Sequence, residues 1–292
     1  MIEEIKFALS QELKGITGIS LISTRNDKNL TYKIDCFDRS YALKVYSSDD
    51  FERLDASLDL QLFLSERGFK CPPPRRTLGD HIFKIGNSWA SLFGYFQGTV
   101  TQTPTQNDIE KMVDCTLSFY QLGRAYEGQV YEKIDRLPPI QPGKYKCESE
   151  LQNEKVSRLI KEIYNTKLSS GLIHGDLNHG QFLLSKGDAT LLDFENFSIG
   201  PYLRDLSSLL FFLKCDSRNS HINGKEIVKR YVDSKVIKSD EVCSIKKMIE
   251  LHSRLYSAGR IWQFNNGYVD EKEVLKSFRM IKMGEDLRED GF

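Results

Sequence analysis

The 292 residues carry 41 Lys plus Arg against 41 Asp plus Glu, so the formal net charge is zero. Balanced charge gives no global field for a nucleic-acid backbone or an anionic membrane, and neither is expected as a partner. Six scattered cysteines without a CxxC pair, an acidic start (Glu3, Glu4) and a longest apolar run of only Leu209 to Leu213 point to a soluble cytoplasmic chain with reduced thiols.

The length suffices for two lobes or one large domain. Residues 2–14 place Ile2, Ile5, Phe7, Ala8 and Leu13 at roughly helical spacing. Three strand-like pieces follow, Gly18–Thr24, Leu30–Asp35 and Ser40–Tyr46, separated by polar turns. Asp49–Arg67 repeats apolar residues at helical spacing and ends at Gly68. Beyond the rigid Cys71-Pro72-Pro73-Pro74, two more strands are predicted at His81–Ile85 and Ser88–Phe96 around Gly86-Asn87. The first hundred residues thus read as an antiparallel sheet carrying one helix.

The pattern then changes. Helices are predicted at Ile109–Gly123 and Leu151–Leu168, with a loop-like stretch over 126–149, and further helical pieces at 203–214, 224–233, 239–265 and 271–287. The expected fold class is α+β and bilobal: a small antiparallel-sheet N-lobe over 1–97 and a larger, mainly helical C-lobe over 98–292.

Between the second and third of these helices lies Leu172-Ile-His-Gly-Asp176-Leu-Asn-His-Gly-Gln181-Phe-Leu-Leu184, then Leu191-Leu-Asp193-Phe-Glu195. The two pieces read as a β-hairpin turning at Lys186-Gly187-Asp188, with two carboxylates and a carboxamide at one end. Asp176, after a glycine turn, is placed to accept or orient a hydroxyl proton. Asp193 follows two leucines, where a carboxylate is costly unless it is paired or bound to a metal. Mg²⁺ favours oxygen ligands and substrate phosphates, and Gln181, Asp193 and Glu195 can supply oxygens. His174 and His179 read as structural, since no third nitrogen or sulfur ligand lies nearby.

Three further features belong to the N-terminal part. Lys44, on the strand before the helix, can bind phosphates as a point charge. Asp55 and Asp59, one helical turn apart, are both candidates to pair with it. The Ser23–Asn29 loop lacks glycine, yet Ser23, Thr24 and backbone N–H groups can donate to phosphate. The run Phe93-Gly94-Tyr95-Phe96 can set backbone groups against an adenine edge.

With these motifs in view, the chain resembles the aminoglycoside phosphotransferase/choline kinase family of small-molecule kinases with a protein-kinase-like fold. The matching runs are His174-Gly-Asp-Leu-Asn-His-Gly-Gln181, Leu192-Asp-Phe-Glu195 and Gly200-Pro-Tyr-Leu-Arg-Asp205-Leu206. The resemblance implies ATP and Mg²⁺ as cofactors and a small-molecule hydroxyl acceptor (aminoglycoside, amino alcohol or sugar), in a monomer or homodimer. It also implies Asp176 as catalytic base, Asp193 as principal and Glu195 as auxiliary metal ligand, Lys44 as phosphate-binding lysine and Gly94–Phe96 as adenine hinge. Gln181 stands where the family has a metal-binding Asn, and Asn178 where it often has His. These departures leave an alternative, a catalytically silent kinase-like binding or assembly protein resembling the spore-coat relatives. Tyr256, Trp262, Phe264 and the acids of Asp270–Glu273 are the acceptor candidates, although most of them read as core beside Leu251, Leu255 and Ile261; the acidic tail after Gly284 reads first as solvating the last helix and second as attracting a polycation.

Overall fold

The computed structural model describes residues 1–25, 29–47, 50–131, 144–215 and 223–289. An N-terminal antiparallel sheet precedes a mainly helical part, as the sequence predicts.

Helix α1 (Ile2–Leu9) is shorter than expected: Leu13 is still buried, but a turn closed by Leu13 N–H on the Leu9 carbonyl (2.8 Å) carries it inward. Strands β1 (Ile16–Arg25), β2 (Asn29–Cys36) and β3 (Ser40–Tyr46) form a meander. Helix α2 (Phe51–Glu66) follows, its first turn capped by Asp50, whose side chain accepts from Arg53 N–H at 3.1 Å. Strands β4 (Pro74–Arg75) and β5 (Phe83–Ile85) both pair with β6 (Ser88–Gly94), and the sheet order runs β1-β2-β3-β6-β4.

Side chains alternate across a strand. On β3, Tyr41, Leu43 and Val45 join Ile5 and Leu9 of α1 in one buried cluster. Ala42 and Tyr46 pack on the opposite face with Leu54 and Leu58 of α2. Lys44 shares that second face, which is the side on which the site forms.

Helix α3 (Gln106–Gly123) opens with a capping box between Thr105 and Asp108. Helix α4 (Lys146–Tyr164) begins earlier than predicted, inside the stretch read as loop, and it buries Gln152, Val156, Leu159 and Ile163 along one face. Strand β7 (Ser170–Ile173) pairs with β10 (Ser198–Pro201), while β8 (Phe182–Leu184) and β9 (Ala189–Leu191) form a separate hairpin. This corrects the single hairpin expected between Leu172 and Glu195. The glycine turn and a 3-10 turn at His179–Gln181 break the first piece into two, and β7 finds its partner beyond Asp193.

Helices α5 (Tyr202–Cys215), α6 (Gly224–Asp233), α7 (Ile245–Asn265) and α8 (Glu271–Glu289) complete the chain. Their apolar faces enclose the largest core, in which Phe119, Tyr120, Phe182, Phe194 and Phe211 are fully buried. Among the described residues no helix is long and apolar enough to cross a membrane.

The chain passes from sheet to helices beside β8. Thr99 N–H donates to the Leu184 carbonyl (3.0 Å) and Leu184 N–H to the Thr99 carbonyl (2.9 Å). A Cβ on Gly98 would meet the Leu184 carbonyl oxygen at 2.8 Å, so only glycine allows this approach.

Candidate active site

The site is built from the segments that follow β7 and β9, with β3 above them. After β7, His174 and Gly175 turn the chain. Both of their N–H groups donate to the Asp205 carboxylate of α5, at 2.6 and 2.9 Å, and Tyr120 Oη donates to the same carboxylate at 3.2 Å. Asp205 is 1% exposed and serves as an internal brace. Gly175 has φ +82°, and a Cβ there would lie 2.1 Å from the Asn196 carbonyl oxygen. The two site segments can approach this closely only through glycine.

Asp176 comes next, half-buried, and Gln181 Nε2 donates to its Oδ2 at 3.0 Å. Asn178 Nδ2 donates to the Asp176 carbonyl (3.1 Å), while Asn178 Oδ1 accepts from Gly180 N–H (2.9 Å), which shapes the 3-10 turn. Gln181 is 1% exposed, so its amide is fixed rather than solvated.

After β9, Leu192 N–H donates to the Gln181 carbonyl (2.9 Å) and the buried His174 Nε2–H donates to the Leu192 carbonyl (2.8 Å). Asp193 then adopts a left-handed conformation, φ 61° and ψ 65°. For a residue with a Cβ this is strained by about 1–3 kcal/mol, and such strain concentrates at functional sites.

Lys44 Nζ lies 2.6 Å from Asp193 Oδ1 and also pairs with Glu195 Oε1. Burial alone would lower the lysine's pKa, but the charges of Asp193 and Glu195 outweigh it and hold Lys44 above its ordinary value. Burial pushes the Glu195 carboxyl up, and Lys44 only partly offsets this.

Asp55 and Asp59 do not pair with Lys44. Asp59 accepts from Tyr126 Oη at 2.8 Å, and burial together with nearby Asp80 and Asp59 raises the Asp55 carboxyl. The face of α2 that meets β3 is apolar (Leu54, Leu58), and the helix reaches the site through Arg53, whose Nε donates to the Glu195 carbonyl at 2.8 Å. Sequence reasoning looked on this helix for an acid and missed a cation. It also missed Asn29, which accepts from Ser47 N–H (3.2 Å) and donates to Glu195 Oε2 (3.3 Å). Its position, first in β2 after a polar turn, is the one sequence signal that could have drawn attention to it.

Ser23 and Thr24 lie in β1, opposite Thr31 and Leu30, rather than in a loop, because the ladder extends to Arg25–Asn29; the turn itself falls outside the described residues. The strand expected to reach Phe96 ends at Gly94. The Phe93 side chain packs with Tyr46, Leu54 and Leu58, and its backbone lies in the sheet between Ala42 of β3 and Pro74 of β4. Tyr95 N–H donates to the Ser40 carbonyl (3.4 Å), and Phe96 is half-buried.

Beside Asp176 an open cavity of about 400 Å³ is walled by α5, α7 and α8. Of the residues expected to meet an acceptor, Tyr256 and Glu273 line it. Phe264 instead packs on Tyr145, Trp262 lies against Tyr268, Asp270 caps α8 and Glu271 bonds Tyr145 Oη and Lys144. The side chains of the acidic tail from 287 onward lie outside the described residues.

Among the described residues no three His, Cys, Asp or Glu side chains converge as a metal cage. Mg²⁺ does not need one, because it binds through one or two carboxylates and substrate phosphates. The oxygen donors of Asp193, Glu195 and the Gln181 amide suit that mode.

The sequence pattern of a protein family described as APH, phosphotransferase enzyme family, matches residues 25–233. No curated protein matches the chain. Among solved structures, amicoumacin kinase hAmiN in complex with AMP-PNP, Ca²⁺ and Ami superposes with a TM-score of 0.76 at 16% identity, covering 98% of this chain and 94% of that one. Choline kinase LicA from Streptococcus pneumoniae gives 0.72 at 16% identity over 97% and 98% of the two chains. Spectinomycin phosphotransferase APH(9)-Ia, in complex with ADP and spectinomycin, gives 0.66 at 15% identity over 96% and 93%. At these identities the likeness establishes a shared fold.

Proposed function

The chain belongs to the APH phosphotransferase enzyme family, and from that premise we propose that it transfers the γ-phosphoryl group of ATP to a hydroxyl of a small molecule. The observation that carries this reading is the placement of Asp176. It opens onto the 400 Å³ cavity, and through Gln181 it is tied to the segment that holds Asp193 against Lys44.

In the proposed reaction the acceptor oxygen forms a bond to the γ-phosphorus while the bond from that phosphorus to the β,γ-bridging oxygen breaks, and ADP leaves. The acceptor's hydroxyl proton passes to an oxygen of Asp176. Gln181 holds that carboxylate in one orientation, and Asp205 fixes the turn that delivers it. Lys44 binds the α- and β-phosphates. Asp193, Glu195 and the Gln181 amide oxygen would hold Mg²⁺, whose contribution when bound is to neutralise phosphate charge and fix its geometry. Gly94–Phe96 would form the hinge against the adenine, and Ser23 and Thr24 of β1 are the proposed phosphate contacts. On this reading 1–97 holds the nucleotide and 98–292 supplies base and acceptor site.

Phosphoryl transfer asks mainly for positioning and charge neutralisation, so this small set of groups suffices. The test is acceptor-dependent ADP release from Mg·ATP, with Asp176→Ala as the blank. Release with one acceptor class, absent in the variant, is the expected result. Equal release by wild type and variant would overturn the assignment of the base.

A further inference from the structure

Charged groups line the cavity beside Asp176 from separate parts of the chain. Asp176 and Asn178 come from the segment after β7, and much of the remaining wall is built by α7 and α8. From α7 comes Arg260, and from α8 come Glu273 and Lys276.

Arg260 is held in place by uncharged groups. Its guanidinium carbon lies 4.8 Å from the centre of the Tyr256 ring, and its Nη1 donates to Gln263 Oε1 at 2.8 Å. Stacking on an aromatic face fixes the plane of the guanidinium, and the amide fixes its rotation about that plane. The remaining N–H donors form a fork, the geometry that binds a carboxylate or phosphate in a bidentate way. This half-buried arginine lines the same cavity as the proposed base.

A guanidinium held in this way disfavours a polycation or a quaternary amine set against it. We propose that the cavity takes a hydroxyl-bearing acceptor with an anionic group, carboxylate or phosphate, and that Arg260 holds this group while the hydroxyl faces Asp176. The inference rests on the kinase reading above. Glu273 then stands where an ammonium on the same acceptor would bind, so hydroxy amino acids are the favoured carboxylate members.

The experiment is acceptor-dependent ADP release from Mg·ATP with three sets of probes. One set carries carboxylates (4-hydroxybutyrate, glycerate, L-homoserine), one carries a phosphate (glycerol 3-phosphate), and one carries only cations (choline, kanamycin). A Mg·ATP binding titration runs alongside. Turnover confined to the anionic sets is the expected result, and the better of them identifies the group. A lower KM for L-homoserine than for 4-hydroxybutyrate would assign the ammonium to Glu273. Arg260→Gln should raise the KM of that acceptor about tenfold or more while kcat and the KM for ATP stay close to wild type. Arg260→Lys should restore part of the loss.

Absence of turnover from every anionic probe overturns the inference, as does an Arg260→Gln enzyme with unchanged acceptor KM. Turnover of choline or kanamycin in that case leaves the kinase reading standing. Failure to bind Mg·ATP removes both.

Discussion

Lys44 Nζ and Asp193 Oδ1 are separated by 149 positions in the chain and by 2.6 Å in space. The lysine belongs to the sheet and the aspartate to the segment after the β8–β9 hairpin, so this contact, with the pairing to Glu195, closes the sheet onto the helical part. Lys44→Met is expected to leave two carboxylates facing each other without their cation. Catalytic efficiency should fall by about 10²–10³, and the fold should lose about 3 kcal/mol, measured by steady-state kinetics and urea unfolding.

The same pair gives a pH dependence of known sign. Lys44 titrates above the ordinary lysine value of 10.5 in the folded chain. Its contribution to stability is therefore complete below that value and is lost as the pH rises toward the folded pKa. Above pH 10.5 the wild-type protein should lose stability more steeply than Lys44→Met. Parallel alkaline limbs in the two unfolding profiles would count against the ion pair.

Asp176 touches neither Lys44 nor the segment that receives it directly, and its assigned work is at the acceptor. Asp176→Ala should lower kcat by about 10²–10⁴ while Mg·ATP affinity changes by less than about twofold. Nucleotide titration and single-turnover kinetics separate the two quantities. A large loss of nucleotide affinity would move Asp176 to the phosphate end of the site.

Gln181 is one methylene longer than asparagine, and the structure shows what that length reaches: its Nε2 donates to Asp176 Oδ2 at 3.0 Å. A shorter side chain cannot span that gap without backbone movement. Gln181→Asn is therefore expected to cost about tenfold in kcat, the scale of one hydrogen bond to a charged group, with the dependence on Mg²⁺ retained. An unchanged kcat would show that Asp176 does not need this donor.

Gly175 is the most exacting backbone position near the site. Gly175→Ala combines a positive φ with a contact of 2.1 Å to the Asn196 oxygen. A loss of about 3 kcal/mol or more is expected from strain and displacement together. Thermal unfolding checks this, and a neutral result would mean that β7 and the segment after Asp193 can separate freely.

What was legible in the sequence follows the range of the interactions involved. The sheet strands and α2 could be read because alternation and helical spacing are local, and Lys44 falls between Leu43 and Val45 on a face that period-two alternation assigns. Asp176, Asp193 and Gln181 could be singled out because each sits beside a turn where an ordinary strand would bury an apolar group. Pairings across long stretches of chain were not legible. Nothing local says that β7 leaves the hairpin to join β10, or that α2 offers Arg53 to the Glu195 carbonyl while Asp59 turns to Tyr126. Of the residues lining the cavity beside Asp176, the sequence drew attention to Tyr256 and Glu273, whereas Arg260 stands out only through the ring contact that holds it.

Leu192 carries one further implication. Its N–H is bonded to the Gln181 carbonyl and its own carbonyl to His174 Nε2, so a single residue couples the segment bearing Asp176 to the one bearing Asp193. The spacing of the two aspartates is thereby set by both main-chain groups of one residue together with the His174 ring, whereas the cavity beside Asp176 takes much of its wall from side chains of α7 and α8. Substitutions on those two helices can reshape the cavity without touching the bonds that set this spacing.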